Sequence, residues 1–468
     1  MKQFALALAA VIALTACAPA VHYHPKPIMP AATAERLERR TLNDTGLRQF
    51  MQENLGHKIG TWPPQAWNLK DLTLAAYYFN PQMQVARAQA EAAQAAIITA
   101  GERPNPTISL RPGIPSPWVL DFNFNIPIQT AGRRGYKIKQ ATALSQAARF
   151  NIAATAWKVR SGVRSALVKY LFDQEQAQLT HADERLWDQQ VRGLRVRLVA
   201  GDTSRPTVAA AETSLLDARL AGRTADGLIL QDRAALAAAI GVPQSAIDGI
   251  RLSWPEFNDL PTAASLSPQK IQREAVLNRL DVRQALAEYT AAQAALQLEI
   301  ARQHPNIQLG PGYAYEEGNN YFITGLGIVL PVFNRNQGPI AQAEAARKLA
   351  AARLMQLQAN AIAQSQAALA RYQSAIGEWQ DARKSAHQIR RILLPLSKQS
   401  VTVGETDWLA LNGVELQGIA AAGVALQSMG QAQQALGQLE DAVQRPLAPG
   451  EAAPRAIPNS KTPQKEAQ

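Results

Sequence analysis

Asn80-Pro81-Gln82-Met83-Gln84-Val85, followed by Ala92-Ala93-Gln94-Ala95-Ala96-Ile97 and Pro106-Thr107-Ile108-Ser109-Leu110, returns about 199 residues later. The second occurrence reads Arg279-Leu280-Asp281-Val282-Arg283, Ala291-Ala292-Gln293-Ala294-Ala295-Leu296 and Pro305-Asn306-Ile307-Gln308-Leu309. Farther on, Ile126-Pro127-Ile128 matches Leu330-Pro331-Val332, and Ala200-Gly201-Asp202-Thr203 matches Val403-Gly404-Glu405-Thr406. An internal repeat resets any fold assignment. Two copies of one topology fill most of the chain, each with a helix, two short alternating segments, a very long helix, a turn and another long helix.

The alternating segments are the β part. Phe122-Asn123-Phe124-Asn125-Ile126-Pro127-Ile128 switches between apolar and polar with period two, the pattern of a strand with one face of each kind. Pro106 to Leu110, Ile307 to Tyr315 and Tyr321 to Val332 read as its partners, interrupted by Pro112, Pro115, Pro117 and Pro311. Two strands per copy give four per chain, too few to close a barrel. An open edge in lipid would leave backbone groups unsatisfied, so membrane insertion requires several subunits to pool their strands.

Outward from the strands run helices of unusual length, about Arg134 to Val199 and about Ile340 to Val403, the second containing Pro395. Each would be a rod of roughly 100 Å. Val159, Val163, Ala166 and Tyr170, and Ala346, Ala350, Leu354, Leu357 and Ala361, fall at spacings of three and four, as in coiled-coil seams. The rods turn back at Gly201 and Gly404, where glycine allows a left-handed cap, into helices from about Ser204 to Ile240 and about Asp407 to Val443. The second copy opens on Ser267-Pro268, an N-cap residue followed by proline. Trp408 to Met429 is apolar enough to suggest a membrane span, but Asn412, Glu415 and Gln417 within it argue against lipid.

Composition agrees with helices packed through small side chains: 47% of residues are hydrophobic but only 6% aromatic. The net charge of +11 is spread along helical segments without aromatic interleaving, so no nucleic-acid partner is expected. At the N-terminus, Met1-Lys2 precedes a short apolar run and then Leu14-Thr15-Ala16-Cys17. The run is a secretory signal in length. The tetrapeptide resembles a lipobox, in which Cys17, the single cysteine, receives the lipid; Ala18 after it suggests sorting to the outer membrane.

The repeated order of helix, strand pair and hairpin, with the helix opening at Asn80-Pro81, the exit Leu330-Pro331-Val332-Phe333-Asn334-Arg335-Asn336-Gln337-Gly338 and turns at Gly201 and Gly404, resembles the TolC-type outer-membrane factor family over residues 70 to 445. The exit stretch, with Thr130-Ala131-Gly132-Arg133-Arg134 at the equivalent place in copy one, resembles the heavy-metal branch that includes CzcC and CusC. The resemblance implies a mainly α chain with a small β part: long antiparallel coiled-coil hairpins forming a periplasmic α-barrel, and four strands per chain entering a trimeric twelve-stranded outer-membrane barrel. It further implies a homotrimer, a periplasmic adaptor (membrane fusion protein), an inner-membrane resistance-nodulation-division pump and heavy-metal cations as cargo. Adaptor contact is expected at the tips, Gly201, Asp202 and Thr203 with Gly404, Glu405, Thr406 and Asp407. The aspartate ring that constricts the tip in some relatives has Ala410 and Gly413 at its positions here. Asp202, Glu405 and Asp407 could attract cations at the tip, or serve only as helix-terminal acids.

Expected segments are a signal peptide at 1–16, an anchor and tether at 17–70, a first repeat at 71–248 with strands at about 105–128, a linker at 249–267, a second repeat at 268–445 with strands at about 306–332, and a disordered tail at 446–468. His22 and His24 are the one close histidine pair; His57, His181, His304 and His387 are scattered, so no metal site is assigned. No phosphate loop, nucleophile elbow or HExxH is present, so no enzyme activity is expected, and no cofactor beyond a lipid on Cys17. The alternatives are a drug or protein-secretion duct of the same family, and a lipid-anchored coiled-coil protein without a pore.

Overall fold

The computed structural model describes residues 23–113 and 119–448. The expectations for the signal peptide, Cys17, His22 and the tail from 449 lie outside the described residues. The chain divides into two compact units, residues 1–40 and 41–468. The first holds one described helix, α1 (Pro30–Glu38), with proline in its first turn.

The second unit begins with α2 (Thr45–Leu55), α3 (Leu69–Phe79) and α4 (Pro81–Gly101). Strands β1 (Thr107–Gly113) and β2 (Val119–Ile128) follow, then the long hairpin α5 (Arg133–Ala200) and α6 (Arg205–Ile240). Copy two repeats the order as α7 (Pro268–Asn278), α8 (Leu280–Ala301), β3 (Ile307–Glu316), β4 (Asn319–Ile328), α9 (Gln337–Gln388), α10 (Leu394–Thr402) and α11 (Trp408–Val443). The 68 residues of α5 make a rod of about 100 Å.

Between α9 and α10 the expected continuous helix passes through one π turn, Ile389–Leu393. Pro395, in the first turn of α10, cannot donate the helical hydrogen bond its position requires, and a wider turn beside it accommodates the loss. Both strand pairs differ from expectation at their ends. Pro112 and Pro311 lie inside β1 and β3, and β4 stops at Ile328, so Leu330-Pro331-Val332 lies beyond the strand. In space the counterpart of β2 is the 319–328 segment.

The duplication extends to the joints. Asn80 and Arg279 both leave the helical region, with ψ of 124° and 131°, and start a new helix. Asn80 accepts from Gln82 N at 2.9 Å and donates to Ala239 O at 2.9 Å. In copy two, Arg279 binds Asp281 at 2.7 Å and reaches Ala442 O at 3.5 Å. Leu280 has an amide where Pro81 has none, and the Gln444 side chain accepts it at 2.6 Å. Ser267 does not cap α7 with its side chain; its hydroxyl bonds Gln269 instead.

The main core joins α3, the base of the first hairpin and both connecting segments. Leu72, Leu74, Met83, Val163, Leu167, Leu236 and Ile240 are fully enclosed. Leu42, Leu47, Met51 and Trp67 are buried in the same core, so the segment from 42 to 67 is packed structure: large apolar side chains at those positions leave water by docking on α3. Trp67 also bonds the 249–267 segment through its backbone, with Trp67 N to Arg251 O at 2.8 Å, and Trp254 and Phe257 are buried. A second core gathers Ile271, Tyr372, Leu436, Leu439 and Val443. Of the expected seams, Val159, Val163, Tyr170 and Ala361 are buried, whereas Ala346 is exposed.

A buried charge cluster links the copies. Arg160 Nη1 and Arg164 Nε lie 3.1 and 3.4 Å from Glu440 Oε2, Arg164 donates to Gln433 Oε1 at 2.7 Å, and Leu447 N donates to Glu440 Oε1 at 2.8 Å. Glu440 is 0% exposed. The partners offset the cost of burying a carboxyl group so completely.

Candidate functional site: a two-faced sheet and a paired helical tip

The four strands form one antiparallel sheet in the order β1-β2-β3-β4. Its register separates two faces. Ile108 pairs with Phe124, Leu110 with Phe122, Phe122 with Tyr313, Tyr313 with Phe322, Leu309 with Leu326 and Ile307 with Ile328. These residues share one face. Phe122 and Phe124 meet edge to face at 5.1 Å between ring centroids, and Tyr313 and Phe322 at 5.7 Å. Ile108, Leu110, Leu309, Phe322, Leu326 and Ile328 are open to the surroundings, Phe322 being 87% exposed, while Phe122, Phe124, Tyr313 and Ile307 are half-buried.

On the other face Thr107 pairs with Asn125, Ser109 with Asn123, Arg111 with Asp121, Asp121 with Ala314, Asn123 with Gly312, and Gly310 with Gly325. A side chain at Gly312 would meet Asn123 Oδ1 at 2.9 Å, so the amide of copy one lies over the bare backbone of copy two. The outer strands β1 and β4 each leave one row of backbone groups without a strand partner within the chain.

The hairpin turns lie at the far end of the helices. Gly201 and Gly404 take φ of +81° and +78°, the left-handed cap expected of them. Asp202 N closes on Arg197 O at 2.8 Å, and Glu405 N on Ser400 O at 2.9 Å, with Thr203 and Thr406 completing the turns. Ser204, which the sequence reading did not assign a role, caps α6 by accepting from Thr207 N at 3.4 Å. Its neighbour Pro206 in the first turn was the available signal.

The structure brings the two turns together. Asp407 Oδ1 caps α11 by accepting from Ala410 N at 2.9 Å, and Asp407 Oδ2 accepts from Arg197 Nη2 at 2.8 Å. The Ala410 amide, and next the Arg197 guanidinium, hold the Asp407 carboxyl below the usual carboxylate range. Asp407 is a helix cap and an ion-pair partner. Glu405 accepts from Ser400 Oγ at 3.1 Å. Ala410 and Gly413 lie exposed on α11. Sequence reasoning gave no contacts to Arg197, Trp408 or Asn412: the guanidinium stands 5.6 Å from the Trp408 ring centroid, and Asn412 donates to Gln190 Oε1 at 3.0 Å. These polar contacts occupy the helix whose apolar run alone suggests a span. Among the described residues no three His, Cys, Asp or Glu converge to hold a metal ion.

A two-faced sheet with free edges, continued by two long hairpins, is the architecture of TolC-like channel chains. Residues 76–242 match the outer membrane efflux protein family, which is made up of channel proteins, not enzymes. The cobalt-zinc-cadmium resistance protein CzcC of Cupriavidus metallidurans is 27% identical over 216 residues, 46% of this chain and 50% of that protein. The chain thus matches half of that relative's length. A crystal structure of CusC superposes with a TM-score of 0.64 at 17% identity, covering 91% of this chain and 99% of that one. The outer membrane protein VceC of Vibrio cholerae gives 0.63 at 18%, covering 80% and 95%. These likenesses carry the fold.

Proposed function

We propose that the chain is the outer-membrane channel subunit of a tripartite efflux system that exports small solutes, heavy-metal cations first among them. The observation that carries the reading is the open four-stranded sheet: one face mainly apolar, the other polar on β1 and β2 and glycine-rich with Tyr321 and Ile323 on β3 and β4, both edges unpaired. In lipid, such a sheet is stable only when copies join edge to edge into a closed barrel with the apolar face outward. Three copies supply twelve strands, the homotrimer that the resemblance implies. The hairpins, on this reading, form the periplasmic tunnel and meet a periplasmic adaptor at Gly201 to Thr203 and Gly404 to Asp407, with an inner-membrane pump beyond it. The choice of metal cations rests on the likeness to CzcC. Cys17 would carry the lipid anchor, tested by loss of palmitate labelling in Cys17→Ser.

The decisive experiment is conductance of the detergent-extracted protein in planar bilayers together with its mass in detergent. A conducting trimer supports the channel. A monomer that inserts no current, under conditions where another member of the family conducts, leaves the lipid-anchored coiled-coil alternative.

A further inference from the structure

The four strands contain three charged residues, Arg111, Asp121 and Glu316, and the register puts all three on the polar face. They also share one end. Arg111 stands opposite Asp121, Asp121 opposite Ala314, and Glu316 one step farther out opposite Val119 and Asn319. That end is the one away from the helices, which leave the sheet after Ile128 and Ile328. Toward the helices the same face is neutral: Ser109, Asn123, Thr107, Asn125 and Gln308, with Gly310, Gly312, Gly325 and Gly327 presenting no side chain. Asp121 Oδ1 is buried and has no hydrogen-bond partner among the described residues.

We infer that Arg111, Asp121 and Glu316 form a charged collar at the outer mouth of the pore and set its ionic selectivity. The inference rests on the channel reading above. Within the strands, one guanidinium against two carboxylates leaves each subunit with a single excess negative charge, and Glu317 in the β3–β4 turn at the same end adds a second, repeated three times around a trimer. Directly opposed residues on neighbouring strands have Cβ atoms about 5 Å apart, so Arg111 offsets Asp121 locally and Glu316 stays uncompensated. Rings of carboxylates concentrate cations and exclude anions. The neutral, glycine-lined stretch below leaves the collar as the charged level of the lumen-facing sheet. Cations leaving the duct would therefore pass a favourable potential at the exit, while external anions would meet a barrier.

The test is the reversal potential of the wild-type channel under a potassium chloride gradient at low salt, about 0.05 M, where the screening length exceeds 10 Å. Asp121→Asn and Glu316→Gln should each lower the cation-to-anion permeability ratio about twofold, and Arg111→Ala should raise it by a similar factor; Gln308→Ala, on the neutral stretch, should leave it unchanged. Should Arg111→Ala fail to assemble, the rates of a cationic and an anionic thiol reagent at Asn125→Cys, in a Cys17→Ser background with and without Glu316→Gln, give the same comparison. Channels that conduct with an unchanged ratio in every variant overturn the collar alone. A wild type that assembles but never conducts overturns the channel reading, and the collar with it.

Discussion

The indole of Trp408 lies against the backbone of Gly193, so close that a methyl group at residue 193 would stand 2.2 Å from its Cζ2 atom. This contact locks the first turn of α11 onto the last turns of α5, beside the Arg197–Asp407 pair. Gly193→Ala should favour helix by about 1 kcal/mol in the absence of the contact yet destabilise the protein by roughly 1–3 kcal/mol through overpacking. In a Trp408→Ala background the same substitution should become stabilising. Thermal unfolding followed by circular dichroism reads both signs; a Gly193→Ala variant as stable as the parent would mean that the ring moves aside freely.

Glu440 holds two buried guanidiniums, Arg160 at 2% and Arg164 at 4% exposure. Removing its charge takes a carboxylate partner from both, and breaking a buried pair costs about 3–5 kcal/mol. Glu440→Ala should lower thermal stability by that order. A triple replacement of Arg160, Arg164 and Glu440 by Met, Met and Leu should recover most of the loss, because the desolvation penalty disappears with the charges. If the triple variant is as unstable as Glu440→Ala, the cluster is stabilising in itself and the desolvation argument is wrong.

The local features of this fold are written in the sequence and the long-range ones are not. Gly201 and Gly404 turn where expected because a left-handed cap is a property of one residue. The alternation from Phe122 to Ile128 is a property of seven residues, and it became β2 with its two aromatics on one face. Arg160 and Glu440, by contrast, are separated by 280 positions, and nothing near either residue names the other. The strand prolines misled, whereas the one expected inside the helix did not. Pro311 lies within a central strand, at a point where β2 and β3 skip their ladder pairs between Asn123 and Ile126, so its missing donor falls in a gap. At Pro395 the helix continued by widening one turn. At the candidate site, the turn residues were legible, but their mutual contacts depend on how α5 meets α11.

Asp232 on α6 and Asp173 on α5 face each other beneath Lys169, whose Nζ lies 2.5 Å from Asp232 Oδ1 and 2.8 Å from Asp173 Oδ2. Burial first, then the hydrogen bond and charge of Asp173, push the Asp232 carboxyl up to about 6, with Lys169 acting in the opposite direction. The folded chain therefore binds this proton more tightly than the unfolded chain, whose carboxyl titrates near 3.8. The stability contributed by protonation is present below about pH 4 and is lost as pH rises through 6. Asp232→Asn should remove that falling component: the change in unfolding midpoint between pH 4 and pH 6.5 should be more positive in the variant than in the parent. Identical pH profiles would show that the carboxyl titrates normally in the folded state.

Gly241 and Gln444 occupy equivalent caps at the ends of α6 and α11, both left-handed at φ of +89° and +52°. Their neighbours make opposite demands. At Gly241 a Cβ would stand 2.8 Å from Asn80 Cα and 3.1 Å from Phe79 O, backbone atoms that cannot swing away. At Gln444 the side chain is needed, since it accepts the Leu280 amide that no helix partner reaches. Gly241→Ala should thus cost more than the usual left-handed penalty of about 1–2 kcal/mol, because strain and a backbone clash add. Gln444→Gly should relieve φ strain but free a part-buried donor, a loss of about 1–3 kcal/mol set against a gain of about 1 kcal/mol. Equilibrium unfolding of the two single variants decides: Gly241→Ala should be much the less stable, and equal losses would mean that the two joints, despite their different chemistry, carry the same load.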